Sequence, residues 1–224
     1  MRTDLDFVSK NHYICKKRGM NFQEFRYVLG REKVFSTQDI AKEWSDFNFN
    51  NLINWQKKGY IQKIRNKWYT FPQNLKSEED LFFLANRIHQ PSYVSLHSAL
   101  RYYNWIPESV FSITSVTTAK PKEWHTPVGT FSYRSIKPPL FFGYYPVEWQ
   151  DAVFNIAEPE KLIIDLLYFF PQLQTQEDFE GWRLNRSAIT EQLDLKKLNT
   201  YLAVADSNTL SQRASIFKSY LSND

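Results

Sequence analysis

Between Asn48 and Lys58 the chain holds four asparagines, two lysines and no carboxylate: Asn48, Asn50, Asn51, Asn54, Lys57 and Lys58. An asparagine amide pairs bidentately with the major-groove edge of adenine, and a lysine ammonium reaches guanine or a phosphate. A second basic cluster, Lys63, Arg65 and Lys67, follows directly. Cations placed beside a reading helix meet phosphates or the neighbouring minor groove. These residue types suit recognition of duplex DNA. The alternative for the same polar face is a solvated surface that docks a protein.

Catalytic chemistry is harder to find. Asp151, Glu158, Glu160 and Asp165 are the one carboxylate cluster in the strand-rich part of the chain. Glu158-Pro159-Glu160 with Asp165 suits capping of a helix N-terminus and interaction with its dipole. A nuclease core needs a carboxylate followed by Glu-x-Lys on a strand, whereas Glu160 and Lys161 are adjacent in a helical segment. A nucleotidyltransferase needs a Gly-Ser turn and a paired Asp-x-Asp, which the sequence lacks. It also lacks a glycine-rich phosphate loop, a Gly-x-Ser-x-Gly elbow and a His-Glu-x-x-His pair. His97 falls in an apolar helix, as a packed or capping residue, and Cys15 has only His12 near it in sequence. One cysteine and four scattered histidines do not make a zinc site. No catalytic residue, metal or cofactor is expected.

The elements that would position the Asn/Lys face follow from periodicity. Asn21 precedes a helix with Phe22, Phe25, Val28 and Leu29 inward, ended by Gly30 in a left-handed cap. Ser36 and Thr37 cap a second helix with Ile40, Ala41 and Trp44 inward and Asp39 in its first turn. A third helix spans about Asn48 to Lys58, with Phe49, Leu52 and Trp55, and Ile53 beside them, repeating every three to four residues. Tyr60–Ile64 and Trp68–Phe71 form a short hairpin around Arg65-Asn66-Lys67, stopped by Pro72. Helix, helix, turn, helix, hairpin is the order of a winged helix-turn-helix, assigned to residues 21–72. Residues 1–20 read as a short amphipathic extension helix ending at Gly19.

Charge agrees with that division. Residues 1–71 carry 14 Lys/Arg and 7 Asp/Glu, whereas residues 72–224 carry 14 and 17. A basic first third beside a mildly acidic remainder implies that one domain alone meets a polyanion. An aromatic content of 17% excludes a disordered chain. The longest apolar run, Leu162–Phe170, is broken by Asp165 and falls short of the ~20 residues of a membrane span. With no apolar leader and one cysteine, a cytoplasmic protein is expected.

After the polar bridge 72–77, Ser77 caps a helix with Asp80 completing a capping box. A helix over Ser95–Tyr103 follows. Strands are expected at Ser112–Thr118 and Thr130–Ile136, with shorter ones at Leu140–Tyr144 and Val153–Ile156. Pro159 opens a buried apolar helix. Helices at Arg186–Leu193, from Asp194 through Ala205, and from a cap at Asn208 or Thr209 to Leu221 complete the chain. The fold class is α+β: an N-terminal winged helix-turn-helix domain followed by an α+β domain, 77–224, with a helical tail.

Three segments of that second domain carry a resemblance. P-S-Y-V-S-L-H-S-A-L-R-Y-Y-N-W-I-P-E (91–108), T-P-V-G-T-F-S-Y-R-S-I-K-P-P-L-F-F-G-Y (126–144) and A-E-P-E-K-L-I-I-D-L-L-Y (157–168) resemble, in order and spacing, the C-terminal domain of the AbiEi family. Those proteins are the antitoxins of abortive-infection, type IV, toxin–antitoxin pairs. The hairpin G-Y-I-Q-K-I-R-N-K-W-Y-T-F-P (59–72) looks like the family's hairpin, and the likeness covers about residues 21–170. This chain departs from it at Lys67, where the family usually has Gly; Asn66 is expected to supply the left-handed residue. Asn104 likewise stands for a helix-ending Gly, and Glu158 for a Thr or Asp cap. A family basic run is diluted here to Lys120-Pro121-Lys122-Glu123. The resemblance implies an antitoxin without catalytic activity, a monomer in solution that pairs on an inverted-repeat operator and represses its own operon. Its partners would be that operator DNA and a nucleotidyltransferase-type toxin, neutralised directly or indirectly in phage defence, with no membrane involved. The competing readings are a winged helix fused to a degenerate nuclease or transferase core, and a regulator with a ligand-sensing domain.

Overall fold

The computed structural model describes residues 20–108 and 111–222. The expected extension helix and Cys15 lie outside the described residues. The chain is mixed α+β and divides into two compact units, one through Lys76 and one from Ser77.

The first unit is built around Phe25. Helix α1 (Phe22–Leu29) starts where Asn21 Oδ1 accepts from the Gln23 amide at 3.1 Å, and buries Phe25 and Leu29. Strand β1 (Phe35–Ser36) leads directly into helix α2 (Thr37–Glu43). Ser36 closes a capping box there: its hydroxyl accepts from the Gln38 and Asp39 amides, and Asp39 accepts from the Ser36 amide at 2.8 Å. Helix α3 (Asn50–Lys57) sends Leu52 and Trp55 inward. Strands β2 (Gln62–Arg65) and β3 (Trp68–Thr70) form the hairpin, and β1 joins it in the order β1-β3-β2. The Phe25 ring centroid lies 4.6 Å from Trp55, 5.4 Å from Phe35, 5.5 Å from Trp44 and 5.7 Å from Phe47. Each such pair adds ~0.5–1.5 kcal/mol beyond area burial. One phenyl ring therefore ties α1 to the β1 strand and to α3.

Several expectations change here. Gly30 ends α1 in the ordinary right-handed region (φ −67°), so no left-handed cap forms. Val28 is 40% exposed and Ala41 is exposed, because α1 and α2 are short and only one narrow stripe of each meets the ring cluster. Strand β1 is too short to announce itself by alternation. The polar bridge belongs to this unit as far as Asn74, whose amide donates to the carbonyls of Gly30 and Glu32 at 3.0 and 2.8 Å.

The second unit is a mixed six-stranded sheet between helices. After helix α4 (Glu78–Ile88), capped by the expected Ser77/Asp80 box, come β4 (Ser92–Val94), helix α5 (Leu96–Tyr102), β5 (Ser112–Thr117), β6 (Lys122–Thr126) and β7 (Gly129–Ser135). A 3-10 turn at Pro138–Leu140 precedes β8 (Tyr144–Trp149) and β9 (Ala152–Ala157). The order is β6-β7-β5-β4-β9-β8, with β4/β9 and β5/β7 parallel. Helix α6 (Pro159–Phe169) is buried along its length, from Glu160 to Leu167. Helices α7 (Gln176–Glu180), α8 (Arg186–Gln192), α9 (Leu195–Ala205) and α10 (Asn208–Ser222) follow it, and α9 and α10 pack on α6.

Alternation along the strands assigns the two faces. Tyr133 donates to the Ala85 carbonyl of α4 at 2.7 Å, so its row faces α4. Tyr93, Val116 and Arg134 are paired in register across β4, β5 and β7 on the opposite row, and Tyr93 reaches Asp165 on α6. The expected strand at Leu140–Tyr144 is instead the 3-10 turn, imposed by Pro138-Pro139, with β8 starting only at Tyr144. The cap of α10 is Ser207, whose hydroxyl accepts from the Leu210 amide. Asn104 does take the left-handed conformation (φ 58°) expected of it.

The centre of this unit is polar. Asp165 and Lys161 are both fully buried and form an i,i+4 ion pair on α6. Asp165 also accepts from Ser95 Oγ at 2.7 Å and Tyr93 Oη at 3.1 Å. Burial raises the Asp165 carboxyl above its ordinary value, while Lys161, Ser95 and Tyr93 pull it back. Removing one partner of such a pair strands a buried charge. Lys161→Met is therefore expected to cost about 3–5 kcal/mol in urea denaturation. Lys161→Met with Asp165→Leu should recover most of that loss, because both desolvation costs vanish together. A double variant as unstable as the single one would show that the hydroxyl partners, not the charge, dominate. Leu166→Ala, a purely apolar truncation on the same helix, should cost about 2–5 kcal/mol.

Candidate nucleic-acid interface

Helix α3 has room for two inward side chains, Leu52 and Trp55, and that decides what the rest of it does. Asn50, Ile53, Asn54 and Lys57 recur at helical spacing on the outward side, and all four are exposed. Lys58 follows them into solvent, with its ammonium 5.9 Å above the Tyr60 ring. Asn51 is half-buried. Asn48 is exposed but its side-chain oxygen accepts from the Asn50 amide at 3.0 Å, so it is spent on starting the helix. The helix itself begins at Asn50 rather than Asn48, with no acidic residue in its first turn.

Ile53 and Phe49 depart from the expected core set: they are 52% and 44% exposed. Ile53 lies among the asparagines, where an aliphatic group suits a thymine methyl. The signal was present in the sequence. Leu52 and Trp55, three apart, define the inward stripe, and Ile53 falls about 100° from Leu52.

The hairpin presents Lys63 and Lys67 exposed and Arg65 half-buried. Its turn is made by Asn66 and Lys67 between the paired residues Arg65 and Trp68. The left-handed residue is Lys67 itself (φ 69°), not Asn66. Lys67 is held there by its carbonyl, which accepts from the Thr37 amide of α2 at 2.9 Å. That bond fixes the hairpin tip to the helix before α3.

Of the carboxylates singled out in the second unit, Glu158 and Glu160 meet at Lys197, at 2.9 and 3.5 Å, while Asp165 is paired with Lys161. Asp151 is exposed in the turn between β8 and β9. Glu158 is at the N-cap of α6 but makes no capping bond; it binds Lys197 at 2.9 Å and accepts from Tyr201, whose hydroxyl is pushed up to about 12 by burial and this carboxylate. Glu160 accepts from the Asp194 amide at 2.9 Å. The expected capping role thus fails for Glu158 and Asp165, because tertiary partners claim both. His97 is packed, stacked 5.2 Å from Trp182, and burial and Arg134 lower its pKa. Among the described residues no group of three or more His, Cys, Asp or Glu is arranged to hold a metal ion, and no helix is long and apolar enough to cross a membrane.

No protein-family model matches the chain, and neither does any curated protein.

The hairpin geometry carries its own test. A side chain in the left-handed region costs about 1 kcal/mol relative to glycine. Lys67→Gly should therefore be more stable than Lys67→Ala by about that amount in urea denaturation, although both lose the same charge. Equal stability would mean that the turn relaxes out of the left-handed conformation.

Proposed function

We propose that the first unit is a winged helix-turn-helix that binds operator DNA, with α3 as the reading helix and the β2–β3 hairpin as the wing. The observation that carries this reading is the exposed stripe Asn50–Ile53–Asn54–Lys57 with Lys58, in a segment free of carboxylates. Asparagine and isoleucine suit adenine and the thymine methyl, while the lysines and the wing's Lys63, Arg65 and Lys67 supply phosphate contact. The exposed Phe49 and Tyr60 at the two ends of α3 suit sugar contacts beside it.

On the strength of the AbiEi-like segments, the whole chain is proposed to be an antitoxin that represses its own operon. The second unit, rather than the basic first one, would neutralise a nucleotidyltransferase-type toxin. A catalytic reading has less support, since the buried ion pair Lys161–Asp165 has no exposed surface where a substrate would meet it.

DNA binding is measured by fluorescence anisotropy on a duplex from upstream of the gene, across a salt series. Arg65→Ala with Lys67→Ala should weaken binding at every sequence and reduce the salt slope by roughly one to two. Asn54→Ala should instead cost about 1–3 kcal/mol of discrimination at particular bases, with the slope unchanged. If a folded quadruple variant (Asn50, Asn54, Arg65 and Lys67 to Ala) retards the duplex like the parent, the interface is elsewhere. A chain of residues 76–224 should still rescue growth against the toxin encoded beside it while losing repression. Folded protein without rescue would refute the division of labour.

A further inference from the structure

Arg134 projects from β7 on the α6 side of the sheet, in register with Val116. Its guanidinium carbon lies 4.8 Å from the Phe169 ring centroid and 5.0 Å from that of Phe170, at the C-terminal end of α6. His97, at the start of α5, and Trp182 complete the cluster: His97 meets Phe170 edge-on at 5.6 Å, and Phe170 meets Trp182 at 4.7 Å. All five side chains are half-buried rather than sealed.

Within this cluster the guanidinium has ring faces beneath it and no acceptor. Among the described residues no carboxylate lies within ion-pair distance of Arg134 and no oxygen accepts from it; Glu123, on the neighbouring β6, is paired with His125 at 3.0 Å. Burial lowers the Arg134 pKa, as it does for a cation partly stripped of water. A partly buried arginine lays its stem on apolar surface and keeps its charged head within reach of solvent or of a partner. Here two phenyl rings lie against the guanidinium and none of its N–H groups has an acceptor among the described residues, so a carboxylate can take them by two parallel hydrogen bonds.

We propose that Arg134 anchors a docking site for a protein segment presenting an Asp or Glu beside an aromatic or aliphatic side chain. The carboxylate would bond the guanidinium edge, and the adjacent apolar side chain would cover Phe170 and Trp182. Charge selects this occupant over nucleic acid. Burial and Arg134 favour the neutral form of His97, which leaves Arg134 as the cation of the cluster. One cation matches a monoanionic carboxylate, whereas a phosphate monoester carries ~1.5–2 negative charges and a polynucleotide needs several cations in a row. The site does not depend on the partner being a toxin.

The full chain, labelled with nitrogen-15, is titrated with N-acetyl-aspartyl-phenylalaninamide and with its asparaginyl counterpart, following the Arg134 Nε–H and Trp182 Nε1–H resonances. The aspartyl peptide should shift both saturably and bind about 10-fold tighter than the asparaginyl one, as a charge-assisted pair worth ~1.4 kcal/mol predicts. Arg134→Met, which keeps the aliphatic packing on the rings, should erase that preference, and Arg134→Lys should keep part of it. Equal binding of the two peptides, or no saturable shift in the unmodified chain, would overturn the proposal without reference to any variant. Tighter response to inorganic phosphate or to an oligothymidylate would overturn it in favour of a phosphate site.

Discussion

Asp165 has no exposed surface, and the donors that converge on it come from different parts of the second unit. Lys161 is one turn earlier on α6, Tyr93 is on β4, and Ser95 is the residue between β4 and α5. A buried carboxylate tolerates few arrangements, because any lost donor exposes charge to a low dielectric. The consequence is a fixed distance between α6 and the centre of the sheet. Lys161 adds a second constraint: a Cβ on Gly143 would come 3.0 Å from the Lys161 Cβ and 2.8 Å from the Tyr201 ring, so glycine alone fits there. Ser95 also accepts from Thr114 through its carbonyl, at 2.7 Å. So tied, the chain turns through Leu96 in the left-handed region (φ 57°), a conformation costing ~1–2 kcal/mol for a residue with a side chain. That turn delivers His97 to Trp182 and Phe170. The buried carboxylate therefore sets where the half-open aromatic cluster around Arg134 can form.

The first unit is organised by the opposite means. No buried ion pair is needed where Phe25, Phe35, Phe47, Trp55 and Phe71 fill the interior with rings. A helix of eight residues has little stability of its own, so α3 exists because Leu52 and Trp55 are held by that cluster. Two inward anchors leave most of its side chains outside. A short helix fastened along one narrow stripe presents a wide polar surface, and the wide surface here is asparagine and lysine without carboxylates. The Thr37–Lys67 bond does the same for the hairpin by tying its tip to α2.

Much of this was legible in the sequence, and the failures have identifiable causes. Helices announced by a cap and an apolar stripe were found, as at Ser36, Ser77, Pro159 and Asp194, because the cap chemistry is local. Strands β1, β4, β6 and β8 were not, since two- or three-residue strands have no period, β6 is a polar edge strand, and Pro146 interrupts the edge strand β8. Asn66 was expected to take the left-handed position on intrinsic preference, but the tertiary bond to Thr37 puts Lys67 there. The carboxylates were read as dipole partners because sequence shows spacing and not burial. Nothing local marks Asp165 as lying beneath Tyr93, some seventy residues away. The Asn/Lys face was visible as composition, whereas the exposure of Ile53 and the half-burial of Asn51 needed the position of Trp55. Nothing in the sequence around Arg134 sets it apart, because its setting depends on elements that no local pattern connects.

The arginines of the two units illustrate why a count of charges does not define a partner. Arg65 stands among Lys58, Lys63 and Lys67, cations that are mostly solvated, and their joint effect on a polyanion comes from releasing its counterions. Such a set is indifferent to the exact position of each member, so it tolerates the flexible Lys side chains around it. Arg134 is single, partly desolvated and held by rings, and its contribution depends on one hydrogen-bonding geometry. A bidentate partner must meet it at a defined angle, which makes that site selective where the first is additive. The two kinds of cation lie in separate compact units with opposite net charge, and they suit different partners, one through charge density and the other through geometry. On that physical ground the second unit is better suited to a protein than to the nucleic acid proposed for the first.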